Sequence, residues 1–336
     1  MRVLLTGAGG FVGHHFLEHI LATTDWHVTC TDSFRHKGRS DRIAAVLGPR
    51  PEWRPRVAVE MHDLCAPFSD WEVSTLTPPD YIIAMASESH VDRSLLDPVP
   101  FVINNTHVIL NTLELARKLR PRAVLVISTD EVYGPVEAGS AGHPEWSPVI
   151  PSNPYAASKA AQEAIATSYW RAYGVPVAIA NIMNMIGERQ DPEKFIPKAI
   201  GCIARGDELP VHGTPGNIGT RHYLHARNVA DAALFILREL PPVSFPVSLH
   251  GRPDRYNIAG PEPVSNLAVA QQIAEIAGRE LRYRLVDFHS ARPGHDPHYG
   301  LDPSKLAGLG WKPPVDFAES LEKTVRWSLA HPEWLS

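Results

Sequence analysis

Short apolar runs punctuate the first half of the chain: Val3–Leu5, His27–Thr31, Val57–Met61, Tyr81–Met85, Ala123–Ile127 and Val177–Ala180. Val, Ile and Leu dominate several of them, with apolar residues in succession, the pattern of strands buried on both faces. The stretches between carry apolar positions at helical spacing, most clearly over Val102–Leu119 and Tyr155–Tyr173. Strands joined by helix-length crossovers predict an α/β fold, a doubly wound parallel sheet of the Rossmann kind. Helices cover both faces, and ligands sit at the carboxyl ends of the strands.

After about Asn184 the alternation loosens. Segments rich in Pro and Gly, such as "GDELPVHGTPGNIGTRHYL", predict a smaller C-terminal substrate-binding lobe. "ADAALFILREL" and "NLAVAQQIAEIAG" read as helices, and "RYNIAG" as a strand returning to the main sheet. "PPVSFPVSLHGRPD" (Pro241–Asp254) reads as an exposed loop. The predicted organisation is a cofactor domain over 1–183, rejoined by segments near 221–260, and a lobe over 184–336. No internal repeat is present.

With 336 residues, 44% hydrophobic and 21% charged, the chain suits a globular fold with a large core. Lys+Arg 32 against Asp+Glu 37 gives a formal net charge of -5, so no global basic field invites nucleic acid. "TDSFRHKGRSDR" lacks the aromatic interleaving of a nucleic-acid arm. Three separated cysteines, Cys30, Cys65 and Cys202, read as reduced thiols. No segment has the length of a transmembrane span or the form of a leader, so the expectation is a cytoplasmic protein without a membrane partner.

"TGAGGFVG" sets Gly7, Gly10 and Gly13 between the first strand and the first helix, with Phe11 and Val12 inside the motif. Small residues there permit a tight turn, a close approach of backbone to a pyrophosphate, and helix–strand packing, with the helix N-terminus facing the phosphates. Asp32 ends the next strand nineteen residues after Gly13, where a carboxylate binds the hydroxyls of an adenine ribose. That selects NAD over NADP, although Arg35, Lys37 and Arg39 stand close enough in sequence to hold a 2′-phosphate. Asp63, followed by Leu64 after the third strand, reads either as an adenine contact or as a helix N-cap.

Tyr155 and Lys159, four apart at the start of a helix, share one face. A lysine ammonium near a phenol favours the phenolate, which would make Tyr155 a general base. Upstream, "STDEVYG" places Thr129, Asp130, Glu131 and Tyr133 directly behind an apolar run.

Together the glycine loop, Thr129 and Tyr155-x-x-x-Lys159 resemble the extended short-chain dehydrogenase/reductases. "SESHVDRS", "STDEVYG", "PSNPYAASKA", "PEKFIP", "RPGHDPHYGLDPSKL" and "LGWKP" resemble more narrowly the NDP-glucose 4,6-dehydratases, the dTDP-glucose enzymes above all. The likeness runs from the first strand to the final "EKTVRWSLAHPEWL". It implies NAD as a bound, regenerated cofactor and a nucleotide-diphosphate sugar as substrate. Tyr155 is then the base at the 4-hydroxyl, with Thr129 steadying that group and Lys159 tuning the phenol. Glu131 removes the C5 proton, and Asp130 gives a proton to the departing 6-hydroxyl. Two adjacent carboxylates can hold opposite protonation states, because the charge of one raises the pKa of the other. Asn184, Lys194, Arg221, Asn266 and Arg292 are implied at the nucleotide-sugar site, with Ser89 and His90 near the sugar. A homodimer formed by the helices around Val102–Leu119 and Tyr155–Tyr173 is also implied.

The chain departs from the family pattern at Met185-Ile186 and at His222-Tyr223, so the sugar and the base stay open. A 4-epimerase or a uronic-acid decarboxylase would begin with the same C4 oxidation but has no use for the acid Asp130. A non-catalytic nucleotide-sensing module would not need Thr129, Tyr155 and Lys159. The 17 histidines include His15/His19 and His14/Glu18 at helical spacing, but no third and fourth ligand can be assigned, so no metal is expected.

Overall fold

The computed structural model describes residues 1–137, 139–240, 251–260, 262–287 and 298–336. The six apolar runs become β1 (Arg2–Thr6), β2 (His27–Asp32), β3 (Val57–Met61), β4 (Tyr81–Ala84), β5 (Ala123–Thr129) and β6 (Val177–Ile182). Short strands follow: β7 (Met185–Ile186), β8 (Leu209–Thr214), β9 (Asn217–Ile218), β10 (Thr220–Arg221) and β11 (Leu224–His225). The chain then returns to the main sheet as β12 (Asp254–Ile258), before β13 (Val264–Ser265) and β14 (Tyr283–Val286). The main sheet has seven parallel strands in the order β12-β6-β5-β4-β1-β2-β3. "RYNIAG" thus supplies the edge strand beside β6.

Helices α1 (Phe11–Thr23), α2 (Ser40–Leu47), α3 (Asp70–Thr75), α4 (Val91–Leu96), α5 (Pro98–Leu119) and α6 (Pro154–Tyr173) alternate with these strands. α7 (Phe195–Arg205), α8 (Ala226–Glu239) and α9 (Asn266–Ala277) come later, followed by helices over Ser304–Gly308 and Phe317–Ala330. One sheet face buries α1, α2 and α8, through residues such as Phe16, Ile43 and Leu234. The other buries α5 and α6, through Leu113, Ala166 and Trp170. A separate core gathers α7, α9, β8 and the helix Phe317–Ala330 around Ile200, Ile273 and Leu321.

Burial on both faces holds for β5 and β6, every residue of which is buried. At roughly 1.5–3 kcal/mol per large apolar side chain, an upper bound, Leu125 and Ile127 help fix where Thr129 leaves the sheet. β3 differs: it lies at the edge beside β2 and is largely exposed, because no strand among the described residues pairs with its far side.

Strand order reverses between β1 and β4, so the crossovers leaving these neighbours pass to opposite faces and open a crevice at their carboxyl ends. A cavity of about 310 Å³ occupies that crevice. No helix among the described residues is long and apolar enough to cross a membrane.

Candidate active site

Gly7 has φ +71, and a side chain there would press on the Ala86 backbone, its Cβ 2.9 Å from the Ala86 Cα. A Cβ on Gly13 would lie 2.2 Å from the carbonyl oxygen of Gly7. These two positions need glycine for different reasons, one for its turn and one for the contact of helix with loop. Gly10 caps α1 without a side-chain acceptor, and the first turn carries no acidic residue, so the helix N-terminus is left for an anion. Gly7, Gly10, Phe11, Val12 and Gly13 all line the cavity.

Asp32 lines it too, its carboxylate held by the amides of Gly9 (2.9 Å, Oδ2) and Phe34 (2.8 Å, Oδ1). The basic residues near it are engaged elsewhere. Arg35 pairs with Asp63 (3.2 Å), Lys37 with Glu193 (2.6 Å) and Arg39 with Asp41 (2.5 Å). A negative charge at the ribose end, with the neighbouring cations neutralised, fits NAD better than a cofactor bearing a 2′-phosphate. Asp63 caps no helix; α3 begins seven residues later with Ser69 as its cap, and Asp63 Oδ1 accepts the Cys65 amide instead (3.0 Å). Asp63 and Leu64 both face the cavity.

At the chemical end, β5 delivers Thr129 and a single 3₁₀ turn delivers Asp130 and Glu131. α6 opens with Asn153 as its cap and Pro154 in the first turn, which brings Tyr155 and Lys159 to the same wall. The Thr129 hydroxyl donates to Asp130 Oδ1 (2.9 Å), and its side chain is hydrogen-bonded to that of Tyr155. Asp130 is 5% exposed, and its Oδ2 is buried without a hydrogen-bond partner among the described residues. Burial first, then the charge of Glu131, pushes the Asp130 carboxyl up to about 7, against the Thr129 hydrogen bond and Arg221. Glu131 Oε2 accepts Asn153 Nδ2 (3.1 Å). The two carboxyls of "STDEVYG" therefore sit in unlike surroundings.

The tyrosine differs from expectation. Its phenol is pushed up rather than down, by burial and then by the Glu131 carboxylate, with only the Thr129 hydrogen bond opposing them before Asp130 adds to the rise. The reason is where Lys159 points: its Nζ donates to Ile127 O (2.8 Å), Gln162 Oε1 (2.6 Å) and Ser87 Oγ (3.4 Å). Burial also lowers the ammonium itself to about 8, against Glu163.

Of the residues implied at the sugar nucleotide, Ser89, His90, Asn184 and Lys194 line the cavity. Lys194 Nζ donates to the Ser89 carbonyl (3.2 Å), across the mouth. His90 caps α4, accepting the Arg93 amide, and lies 3.8 Å from Glu193. Arg221 and Asn266 are not on the cavity wall. Arg221 lies in the β10–β13 ribbon, paired in register with Val264, and Asn266 opens α9 directly after it, its Oδ1 taken by the Tyr223 hydroxyl (2.8 Å). Arg221 stacks on Tyr299 (4.7 Å), and its charge is nonetheless felt at Asp130. Arg292 lies outside the described residues, as does most of Pro241–Asp254.

His15, Glu188 and His225 stand close enough to share an ion. Hydrogen bonds occupy both imidazole Nε2 atoms, while His15 Nδ1 is buried without a hydrogen-bond partner among the described residues: His15 Nε2 donates to the Glu188 carbonyl (3.1 Å). The Arg227 amide donates to His225 Nδ1 (3.0 Å), which leaves the Nε2 proton to Glu188 Oε2 (3.0 Å). Neither Nε2 keeps a lone pair for a metal. The cluster ties α1 to α8 and to the segment after β7.

Sequence reasoning missed Asn153, Gln162 and Glu163. The last had a visible signal, since Tyr155, Lys159 and Glu163 recur every four residues on α6.

A parallel sheet with a glycine loop between β1 and α1, and with Thr129, Tyr155 and Lys159 meeting at its carboxyl edge, defines an extended short-chain dehydrogenase/reductase. Within that class, the chain belongs to the family described as GDP-mannose 4,6 dehydratase, which it matches over residues 4–324. It is 35% identical over 339 residues to the dTDP-glucose 4,6-dehydratase of Streptomyces griseus, covering 99% of this chain and 95% of that one. The dTDP-glucose 4,6-dehydratase of Shigella flexneri is 32% identical over 359 residues, covering 100% and 94%. Among solved structures, the dTDP-glucose 4,6-dehydratase DesIV of Streptomyces venezuelae with NAD and TYD bound superposes with a TM-score of 0.85 at 31% identity. That likeness spans 99% of this chain and 98% of the other. The UDP-glucose 4-epimerase of Thermus thermophilus in complex with NAD gives 0.81 at 29% identity, over 97% and 98%.

Proposed function

We propose that this protein is an NAD-dependent nucleotide-sugar 4,6-dehydratase, a lyase acting on a substrate like dTDP-glucose. The observation that carries the reading is Asp130: a buried carboxyl pushed up to about 7, with an oxygen that has no hydrogen-bond partner among the described residues, one residue from the carboxylate of Glu131. Oxidation at C4 alone, as in an epimerase, needs no such acid. The glycine loop and Asp32 hold the cofactor in this reading. NAD, when bound, supplies a hydride acceptor for C4 whose hydride is later returned at C6, so no oxidant is consumed. Tyr155 takes the 4-hydroxyl proton and Thr129 orients that hydroxyl, while Lys159, one turn further along α6, is the buried cation on the same wall of the cavity. The 4-ketone acidifies C5–H, Glu131 removes that proton, and Asp130 protonates the leaving 6-hydroxyl.

In this reading residues 1–183, with the return near 221–260, form the cofactor domain. The segment from 184 onward forms the substrate lobe, with Asn184 and Lys194 reaching the nucleotide diphosphate from the cavity wall. Arg221 and Asn266 act from beyond that wall, and Arg292 is assigned to the same ligand by its motif alone. The working form is a cytoplasmic homodimer paired through α5 and α6, whose outer faces expose Val99 (66%), Ile103 (49%) and Tyr173 (53%).

A panel of nucleotide-diphosphate sugars turned over in deuterated water and read by mass spectrometry tests the reading. The expected product has lost water and gained one solvent deuteron. An isomer, or loss of carbon dioxide, would move the assignment to an epimerase or a decarboxylase.

A further inference from the structure

Three neighbouring strands each send a side chain to one buried carboxylate. Glu163, on α6 one turn beyond Lys159, is 3% exposed and its partner Arg255 is 2% exposed. Its Oε1 accepts Ser128 Oγ of β5 (2.5 Å) and Asn181 Nδ2 of β6 (2.8 Å), and its Oε2 accepts Arg255 Nη2 of β12 (2.7 Å). The same partners reach on into the catalytic turn. Asn181 Nδ2 also donates to the Thr129 carbonyl (2.9 Å), and Arg255 Nη1 donates to the Tyr133 hydroxyl (3.0 Å). Glu163, Asn181 and Arg255 do not line the cavity, so none of them touches substrate or cofactor there.

We propose that Glu163 is a positioning residue: its carboxylate holds the Thr129–Glu131 turn in register with α6 and keeps the buried Lys159 ammonium charged. The acceptors that Lys159 Nζ touches, Ile127 O, Gln162 Oε1 and Ser87 Oγ, are all neutral. Burial works against its charge and Glu163 works for it. The other charged and titratable groups nearby are committed elsewhere. Tyr155 on α6 faces Thr129, and Asp130 and Glu131 after β5 act on the Tyr155 phenol. Glu88 after β4 faces His36 and Arg93 (3.6 Å each), and Arg255 of β12 meets Glu163 from the sheet side. A buried ion pair that also satisfies its remaining lone pairs fixes one arrangement of its neighbours.

The turnover arm of the test rests on the dehydratase reading; the labelling arm does not. In the full-length protein, Glu163→Gln should lower the apparent pKa of Lys159, followed by competitive acetylation and mass spectrometry across pH, by about half a unit or more. That is roughly a threefold change in the charged fraction ratio. The alkaline limb of kcat/KM should move to lower pH by a similar amount, while Glu163→Asp keeps both near their wild-type positions. Because Glu163→Gln strands the Arg255 guanidinium, the double variant Glu163→Gln/Arg255→Gln guards against simple unfolding and should show the same downward shift. An unmoved Lys159 titration in either folded variant overturns the proposal. So does failure of every charge-neutral variant to fold while Glu163→Asp folds, which would leave Glu163 a structural tie alone. Absence of turnover by wild type with every sugar nucleotide sinks the dehydratase reading and leaves the labelling result standing.

Discussion

Asp130 and Glu131 are adjacent in sequence and opposite in setting. Asp130 turns inward, where burial and its neighbour's charge keep a proton on it until about pH 7; Glu131 is partly buried and held by Asn153. If Asp130 is the acid, kcat for water loss should decline as pH rises through about 7, with C4 oxidation declining later. Asp130→Asn should slow water loss roughly 10²–10⁴-fold and leave C4 oxidation closer to wild type, read as enzyme-bound NADH in a single turnover. Stability should change as well. A carboxyl whose folded pKa is raised contributes most below its unfolded value near 4, and that contribution is lost as pH rises through 7. Asp130→Asn should therefore melt higher than wild type at pH 8, by several degrees, and show no such gain at pH 4. Equal melting shifts at both pH values would mean that folding does not raise the Asp130 carboxyl. This pair was legible in the sequence because polar residues directly behind a buried strand have a fixed destination. The direction of the Tyr155 shift was not, because it depends on where the Lys159 head group goes, and Ser87 and Gln162 decide that through the third dimension.

At the scale of elements, runs of Val, Ile and Leu specified the strands almost to their ends, since a strand buried on both faces has little freedom of composition. Val57–Met61 kept its bounds but lies exposed, because the sequence of an edge strand does not announce which neighbour is missing. The two-residue strands β7, β9, β10, β11 and β13 escaped notice; too short for any periodicity, they exist only through partners distant in sequence. Helix α5 leads to a further prediction. Its outward face presents Val99 and Ile103 to solvent, and an apolar face of that kind is stable when a second copy covers it. Ile103→Glu should weaken self-association roughly tenfold or more in sedimentation equilibrium, with the monomer's circular dichroism unchanged. A wild-type protein that stays monomeric at micromolar concentration removes the homodimer from the proposal.

Across the whole molecule, the cluster of His14, His15, His225 and Glu188 locks α1 to the later half of the chain. Burial, with the nearby Arg189 and Arg42, lowers His14 to about 3; burial also lowers His15, and it lowers His225 against the opposing hydrogen bond and charge of Glu188. Burial alone would raise Glu188, but the hydrogen bond from His225 and the charge of Arg227 hold it well below the usual carboxylate range. Both kinds of shift have the same sign for stability. Neutral buried histidines lose stability as pH falls below 6.5, where the unfolded chain takes up protons first. A depressed carboxylate loses it as pH falls below about 4. The denaturation midpoint in urea should therefore drop between pH 7 and pH 5, and His14→Gln should flatten that dependence. A wild-type midpoint constant over this range would contradict the assignment of neutral buried imidazoles.

Arg42 is fully buried, and it binds the carbonyls of Gly9, Lys37 and Arg189 together with the carboxylate of Asp191. Because β12 and α8 are drawn from chain beyond residue 189, the lobe proposed to face the sugar cannot be exchanged as one contiguous cassette. A recombinant hybrid that imports another enzyme's substrate specificity needs junctions on both sides of α8 and β12. It must also bring a segment equivalent to 189–191 that still receives the Arg42 guanidinium, or the graft will loosen the glycine loop of its host.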